Sequence, residues 1–186
     1  MLSKFVRIFL ESDRVITEEL ASPKPNQVSI IHLLVNAMLL NAGFAFLFIE
    51  VPVIAIFYFI LLSVVTAIAI PVIEYLTYLT AKSKGGQGSF WDQLRITNIY
   101  VTPISFAFFI LMIISAFLPK GLNFGVDFIA YACVLMVNNR KIKLIHKIDK
   151  DLLPQIVYGL TVAFAYFIWI CALLLPLLII GLTAPL

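Results

Sequence analysis

Charge is scarce in this chain. Of its 186 residues only 12% are Asp, Glu, Lys or Arg, while 62% are hydrophobic. A soluble domain is typically ~25% charged and ~45–50% apolar. A chain this poor in polar groups cannot cover a water-facing surface, which excludes an ordinary soluble domain. A bilayer removes that requirement, because lipid solvates the apolar exterior. Cysteine is equally sparse. Cys133 and Cys171 both lie in apolar stretches and form no spaced motif, which argues against a disulfide framework or a zinc site. Histidine is limited to His32 and His146, too few for a metal centre. There is no paired-histidine helix motif, no phosphate-binding glycine loop and no nucleophile elbow. The run Gly85-Gly86-Gln87-Gly88 follows a membrane helix rather than a strand, and lacks the Lys-Ser/Thr ending of a nucleotide cradle. The apolar stretches also lack the rows of charge expected of a pump or voltage sensor. Catalysis by this chain alone is not expected, and no cofactor is called for.

What charge there is follows a pattern. Five long apolar stretches divide the chain, and twelve of its thirteen Lys and Arg residues fall in alternate intervals. Lys4, Arg7, Arg14 and Lys24 precede the first stretch; Lys82, Lys84 and Arg95 lie between the second and third; Arg140, Lys141, Lys143, Lys147 and Lys150 lie between the fourth and fifth. Only Lys120 stands on the other side. Basic loops stay in the cytoplasm during insertion. The pattern predicts an all-α integral membrane protein with five transmembrane helices, N-terminus cytoplasmic and C-terminus outside. The expected spans are 28–49, 53–78, 96–118, 124–139 and 154–175. The fourth is the shortest: its apolar part, 124–137, covers only ~21 Å at 1.5 Å per residue, so it borrows Asn138 and Asn139. The net charge of +3 belongs to these loops and their anionic headgroups, not to nucleic acid.

Residues 1–27 form a separate cytoplasmic region ahead of the membrane domain, 28–186. No uninterrupted apolar run marks a cleavable signal peptide there. Leu2, Phe5, Val6, Phe9, Ile16 and Leu20 recur at helical spacing, and Arg7–Glu11 and Arg14–Glu18 are i, i+4 pairs. This predicts an amphipathic helix lying in the interface, or else a short helix packed against the bundle's own loops, ended by Pro23 and Pro25. Farther on, Pro71 should kink the second span. Pro176 should divide the last apolar stretch into a span and an outer segment. Residues 81–90 read as a flexible linker, and Ser89 followed by Asp92 predicts a capped helix from about Phe90.

Ionisable and polar groups within spans are the functional candidates. Glu74 leads, near the inner end of the second span, with Lys82, Arg95 or a loop cation as partner, or simply solvated. His32 and Asn36 share a face of the first span and suit hydrogen bonding between helices. His146, in the basic loop, reads as solvated or lipid-facing. Trp91 is placed for a headgroup-level anchor. With Arg95, Arg140, Lys141, Lys143 and Lys147 it makes a candidate cytoplasmic contact surface.

The stretch from Leu76 to Pro103 carries Gly85-Gly86-Gln87-Gly88-Ser89-Phe90, Leu94-Arg95 and Tyr100-Val101-Thr102-Pro103. It resembles the cytoplasmic loop and third-span start of the Yip family, the Ypt/Rab-interacting membrane proteins, and a bacterial-type relative in particular. Tyr100 and Pro103 are separated by two residues where the family has three, and the 140–150 basic segment departs from its pattern. The resemblance implies a non-enzymatic scaffold or adaptor of a bacterial inner membrane, with lipids, other membrane proteins or further copies of itself as partners. A small transporter or channel subunit is the alternative, built on His32, Asn36 and Glu74. An accessory subunit of a larger complex is another.

Overall fold

The computed structural model describes residues 7, 10–22, 26–46, 51–115, 138, 140–148 and 151–183. Every regular element among them is helical: α1 Ser12–Ala21, α2 Asn26–Phe46, α3 Pro52–Ser83, α4 Phe90–Ser115 and α5 Leu153–Thr183. A further helical segment covers 140–146. Among the described residues three helices are long and apolar enough to cross a membrane: Pro52–Ser83, Phe90–Ile114 and Leu153–Ala172. The chain therefore has the helices of an integral membrane protein. Of the expected fourth span, only Asn138 lies within the described residues.

Local chemistry sets the helix ends. Pro52 occupies the first turn of α3, where its missing N–H costs nothing. Ser89 and Asp92 form the expected box: Asp92 N–H donates to Ser89 Oγ at 3.1 Å, and Ser89 Oγ–H donates to Asp92 Oδ2 at 2.7 Å. α4 accordingly begins at Phe90. α3 continues through Pro71 and α5 through residue 176 to Thr183. The expected division of the last stretch at Pro176 is not observed. With 31 residues α5 is ~46 Å long, more than one upright crossing needs.

α3 and α4 are both central: α3 packs against α2 and α5 and touches α4, while α4 packs along α2 and touches α1. From Gln93 to Asn98 every residue of α4 is buried, polar ones included. Asn98 Nδ2 donates to Ser29 O at 2.9 Å, and Asn36 Nδ2 donates to Asn98 O at 3.0 Å. Deeper in, Asn41 donates to Thr66 Oγ1 and accepts from Trp169 Nε1, joining α2, α3 and α5. Such bonds between membrane helices contribute roughly 0.6 kcal/mol each. Their main consequence is register.

Among the described residues the amphipathic region is helical over Ser12–Ala21, and Arg7–Glu11 and Arg14–Glu18 pair. Its position corrects the interfacial reading and matches the alternative of packing against the chain itself. Val15 and Ile16 of α1 pack with Ile96, Tyr100 and Ile145, with Leu20 at the margin. That apolar side is occupied by the chain's own bundle, so α1 does not lie apolar-face-down on the bilayer. Leu2, Phe5, Val6 and Phe9 lie outside the described residues.

Candidate functional site: a buried ion pair under the glycine loop

Glu74 and Lys141 meet in the interior, each side chain 1% exposed. Glu74 sits on the α3 face that turns toward α4, beside buried Thr77. Lys141 comes from the 140–146 helix, whose buried positions are 141, 142, 145 and 146. Lys141 Nζ donates to Glu74 Oε1 at 2.7 Å, Glu74 Oε2 at 2.6 Å and Thr97 Oγ1 at 2.7 Å. Those three bonds use all three ammonium protons. The Tyr158 ring of α5 lies 4.9 Å from Nζ, within cation–π range. Four helical elements thus converge on one charge. Burial pulls the Lys141 ammonium below its ordinary range, and the Glu74 carboxylate opposes that shift.

A second layer extends the network. Gln93 Nε2 donates to Glu74 O at 2.8 Å and to Glu74 Oε2 at 2.6 Å. The Gln93 amide oxygen is then left to accept, and His146 Nε2 lies 2.7 Å from it. The proton of His146 therefore sits on Nε2. Its Nδ1 is buried with no partner. Burial, with Lys141 and Lys82 nearby, lowers the His146 pKa to about 4, so the ring is neutral at physiological pH.

The glycine segment closes this layer. α3 continues to Ser83, and the residues after it are docked rather than free, which corrects the linker expectation. Gly86 N–H donates to Ala81 O, and Gln87 N–H donates to His146 O at 3.2 Å. Gly85 adopts φ +84°, a left-handed turn that glycine enters without steric cost. Gly88 lies so close to Ile145 that a Cβ there would overlap the Ile145 side chain and come within 2.8 Å of its carbonyl oxygen.

The expected site residues separate into two groups. Glu74, Asn36, Arg95 and Lys141 are buried. The solvated reading of Glu74 is excluded, and its partner is the loop cation Lys141. Lys141 and Arg95 are not surface contacts. Arg95 bonds Asp92 Oδ1 at 2.9 Å and Ser22 O at 3.2 Å, tying α4 to the chain just after α1. His146 is likewise buried, not solvated. His32 is exposed, one position away from the buried α2 row of Ser29, Leu33, Asn36 and Ala37, and does not join Glu74. Trp91, Arg140, Lys143 and Lys147 do remain exposed, with Arg140 3.8 Å from Asp13. Sequence reasoning missed Gln93 and Thr97, which complete the network.

A narrow cleft beside Lys141 is lined by Thr97, Tyr100, Asn138 and Tyr158. It has room for about one water molecule. Among the described residues no group of three or more His, Cys, Asp or Glu side chains could hold a metal ion. Comparison with protein-family models, with curated proteins and with solved structures finds no match for this chain.

Proposed function

We propose that the chain is a non-enzymatic membrane scaffold or adaptor of the Yip type, in a bacterial inner membrane. It crosses the bilayer five times with its N-terminus inside, and works through its cytoplasmic end. One observation carries this reading. The glycine loop, the start of α4 and the 140–148 segment are locked together by Glu74–Lys141 and Gln93–His146 into one preassembled body. Its interior polar groups are largely consumed by one another. What it offers outward is Trp91, Arg140, Lys143 and Lys147. A prearranged surface saves the ordering cost of binding, which suits docking. Transport through Glu74 is less well supported. All three Lys141 protons are engaged, the adjoining cleft holds about one water, and His32 stands elsewhere.

A photo-crosslinking residue at Trp91 tests this against the accessory-subunit alternative. In native membranes the scaffold reading expects protein adducts at position 91 and few at Phe164, which is 65% exposed on α5. Adducts at 164 with none at 91 would place the partner along the spans and reject the cytoplasmic working surface.

Orientation has its own test. With Cys133 and Cys171 replaced, single cysteines at Ser83 and Lys143 should label only from the cytoplasmic side, and those at Asn123 and Thr183 only from outside. Labelling of 123 and 143 from one side would remove the fourth span.

A further inference from the structure

We infer that the outer edge of this cytoplasmic body is a binding site for one anionic phospholipid, with its phosphate at Lys82 and Lys147. The inference rests on the reading of this end as the inner, working face, and it names a partner there.

Four aromatic rings form a continuous patch at the α3–α4 junction. The Phe90 ring centroid lies 5.8 Å from Tyr75, 6.2 Å from Tyr78 and 5.4 Å from Trp91. Tyr75 is 50% exposed and Trp91 38% exposed, so the patch faces outward. Lys82 sits at its rim, Nζ 5.8 Å from the Tyr78 centroid. Aromatic rings with a cation beside them are the chemistry of the headgroup level, where one end of the site is apolar and the other wet.

Among the described residues, four other cations of this end have a carboxylate partner. Lys141 has Glu74, Lys84 has Asp151 at 3.3 Å, Arg95 has Asp92 and Arg140 has Asp13. Lys82 has no carboxylate partner among the described residues. Its hydrogen bond among the described residues is a long one, 3.4 Å to Gln87 O. Lys147, also without a carboxylate partner among them, follows His146, whose carbonyl accepts from Gln87 N–H. Lys82 Nζ thus reaches Gln87 O, and Lys147 follows the residue whose carbonyl holds Gln87 N–H, so the chain brings two unneutralised lysines to the Gln87 turn. A phosphodiester anion is the complement they lack.

Below Lys82 the same face of α3 presents Val72, Leu76 and Leu79, all exposed. From Val72 to Lys82 the helix rises ~15 Å at 1.5 Å per residue. That is half of a ~30 Å hydrocarbon core, the depth of one leaflet's acyl chains. Headgroup charge, interfacial rings and an acyl track of the right length coincide on one face. An acidic protein segment would use the charge and leave that track unused.

The test uses the purified full chain with no other protein present. It is delipidated in detergent, offered equal phosphatidylglycerol and phosphatidylcholine, and scored by native mass spectrometry for lipid retained. The wild type should retain phosphatidylglycerol preferentially. Each surface lysine near an anionic lipid contributes roughly a fivefold preference at low salt, less at high salt. The K82Q/K147Q pair should therefore lose up to about thirtyfold, and K82R/K147R should restore most of it. Arg14→Gln, which removes one positive charge from α1, should change little. Equal retention by wild type and K82Q/K147Q overturns the site, and so does an equal loss with Arg14→Gln, which would mean a diffuse charge effect. Either failure leaves position-91 crosslinking to protein standing, so the two readings fail separately.

Discussion

Glu74→Gln and Lys141→Gln each lower the stability of the folded chain by about 3–5 kcal/mol, and Glu74→Leu with Lys141→Met together cost far less than the two single effects combined. The reason is desolvation. Either single change leaves one charge buried without its counter-charge, a penalty larger than the net value of the pair. Lys141 would also leave Thr97 Oγ1 and the Tyr158 ring without their cation. Removing both charges takes away the attraction and the desolvation cost at once. Equilibrium unfolding in mixed micelles, followed by circular dichroism, measures these variants, and the Glu74→Leu and Lys141→Met single variants close the cycle. Glu11→Gln serves as the exposed control, since its pairs with Arg7 and Arg14 are at the surface and expected to contribute under ~1 kcal/mol. A Glu74→Gln effect no larger than that of Glu11→Gln would mean that the pair does not anchor the 140–146 helix. The cycle also separates two uses of Lys141. Should Lys141→Gln destabilise without changing orientation, its charge serves packing and not the topogenic signal.

The long apolar helices are legible because hydropathy sums over twenty or more residues and tolerates local noise. The start of α4 is legible because Ser89 and Asp92 are a local device. Lys141 is harder. As a charge it looks like any other cation of the 140–150 segment. Its register says otherwise: Asn138, Lys141, Ile142, Ile145 and His146 follow one another at intervals of three, one, three and one, the spacing of a single helix face. Every one of them is buried. Read by period instead of by charge, Lys141 and His146 belong to the apolar stripe, and a buried Lys demands a buried carboxylate. Glu74 answers that demand from 67 positions away. Gln93 and Thr97 gave no such hint, since a polar residue in the first turns of a helix is as much at home in water. The misplacement of α1 has a similar origin. An amphipathic stripe says that an apolar face must be covered, not whether lipid or the bundle covers it.

Gly88→Ala should destabilise the chain by about 1–3 kcal/mol, the usual range for forcing an extra carbon into a packed site. The added Cβ meets the Ile145 side chain and also its backbone, so a rotamer change alone cannot clear it. The loop and the 140–146 helix must separate, and the Gln87–His146 bond lies in the path of that movement. Gly85→Ala is the informative comparison. Nothing lies within 4 Å of a Cβ at Gly85, so its cost is the left-handed backbone alone, roughly 1–2 kcal/mol. The two similar losses then part under a second change. Ile145→Ala removes the side-chain half of the collision at Gly88, and the effect of Gly88→Ala should shrink in that background. The effect of Gly85→Ala should not. Unfolding measured on the four variants and their parents gives both couplings. A Gly88→Ala effect that is the same with Ile145 or Ala at 145 would mean that the glycine loop is not seated on the 140–146 helix, and the preassembled body would lose its outer wall.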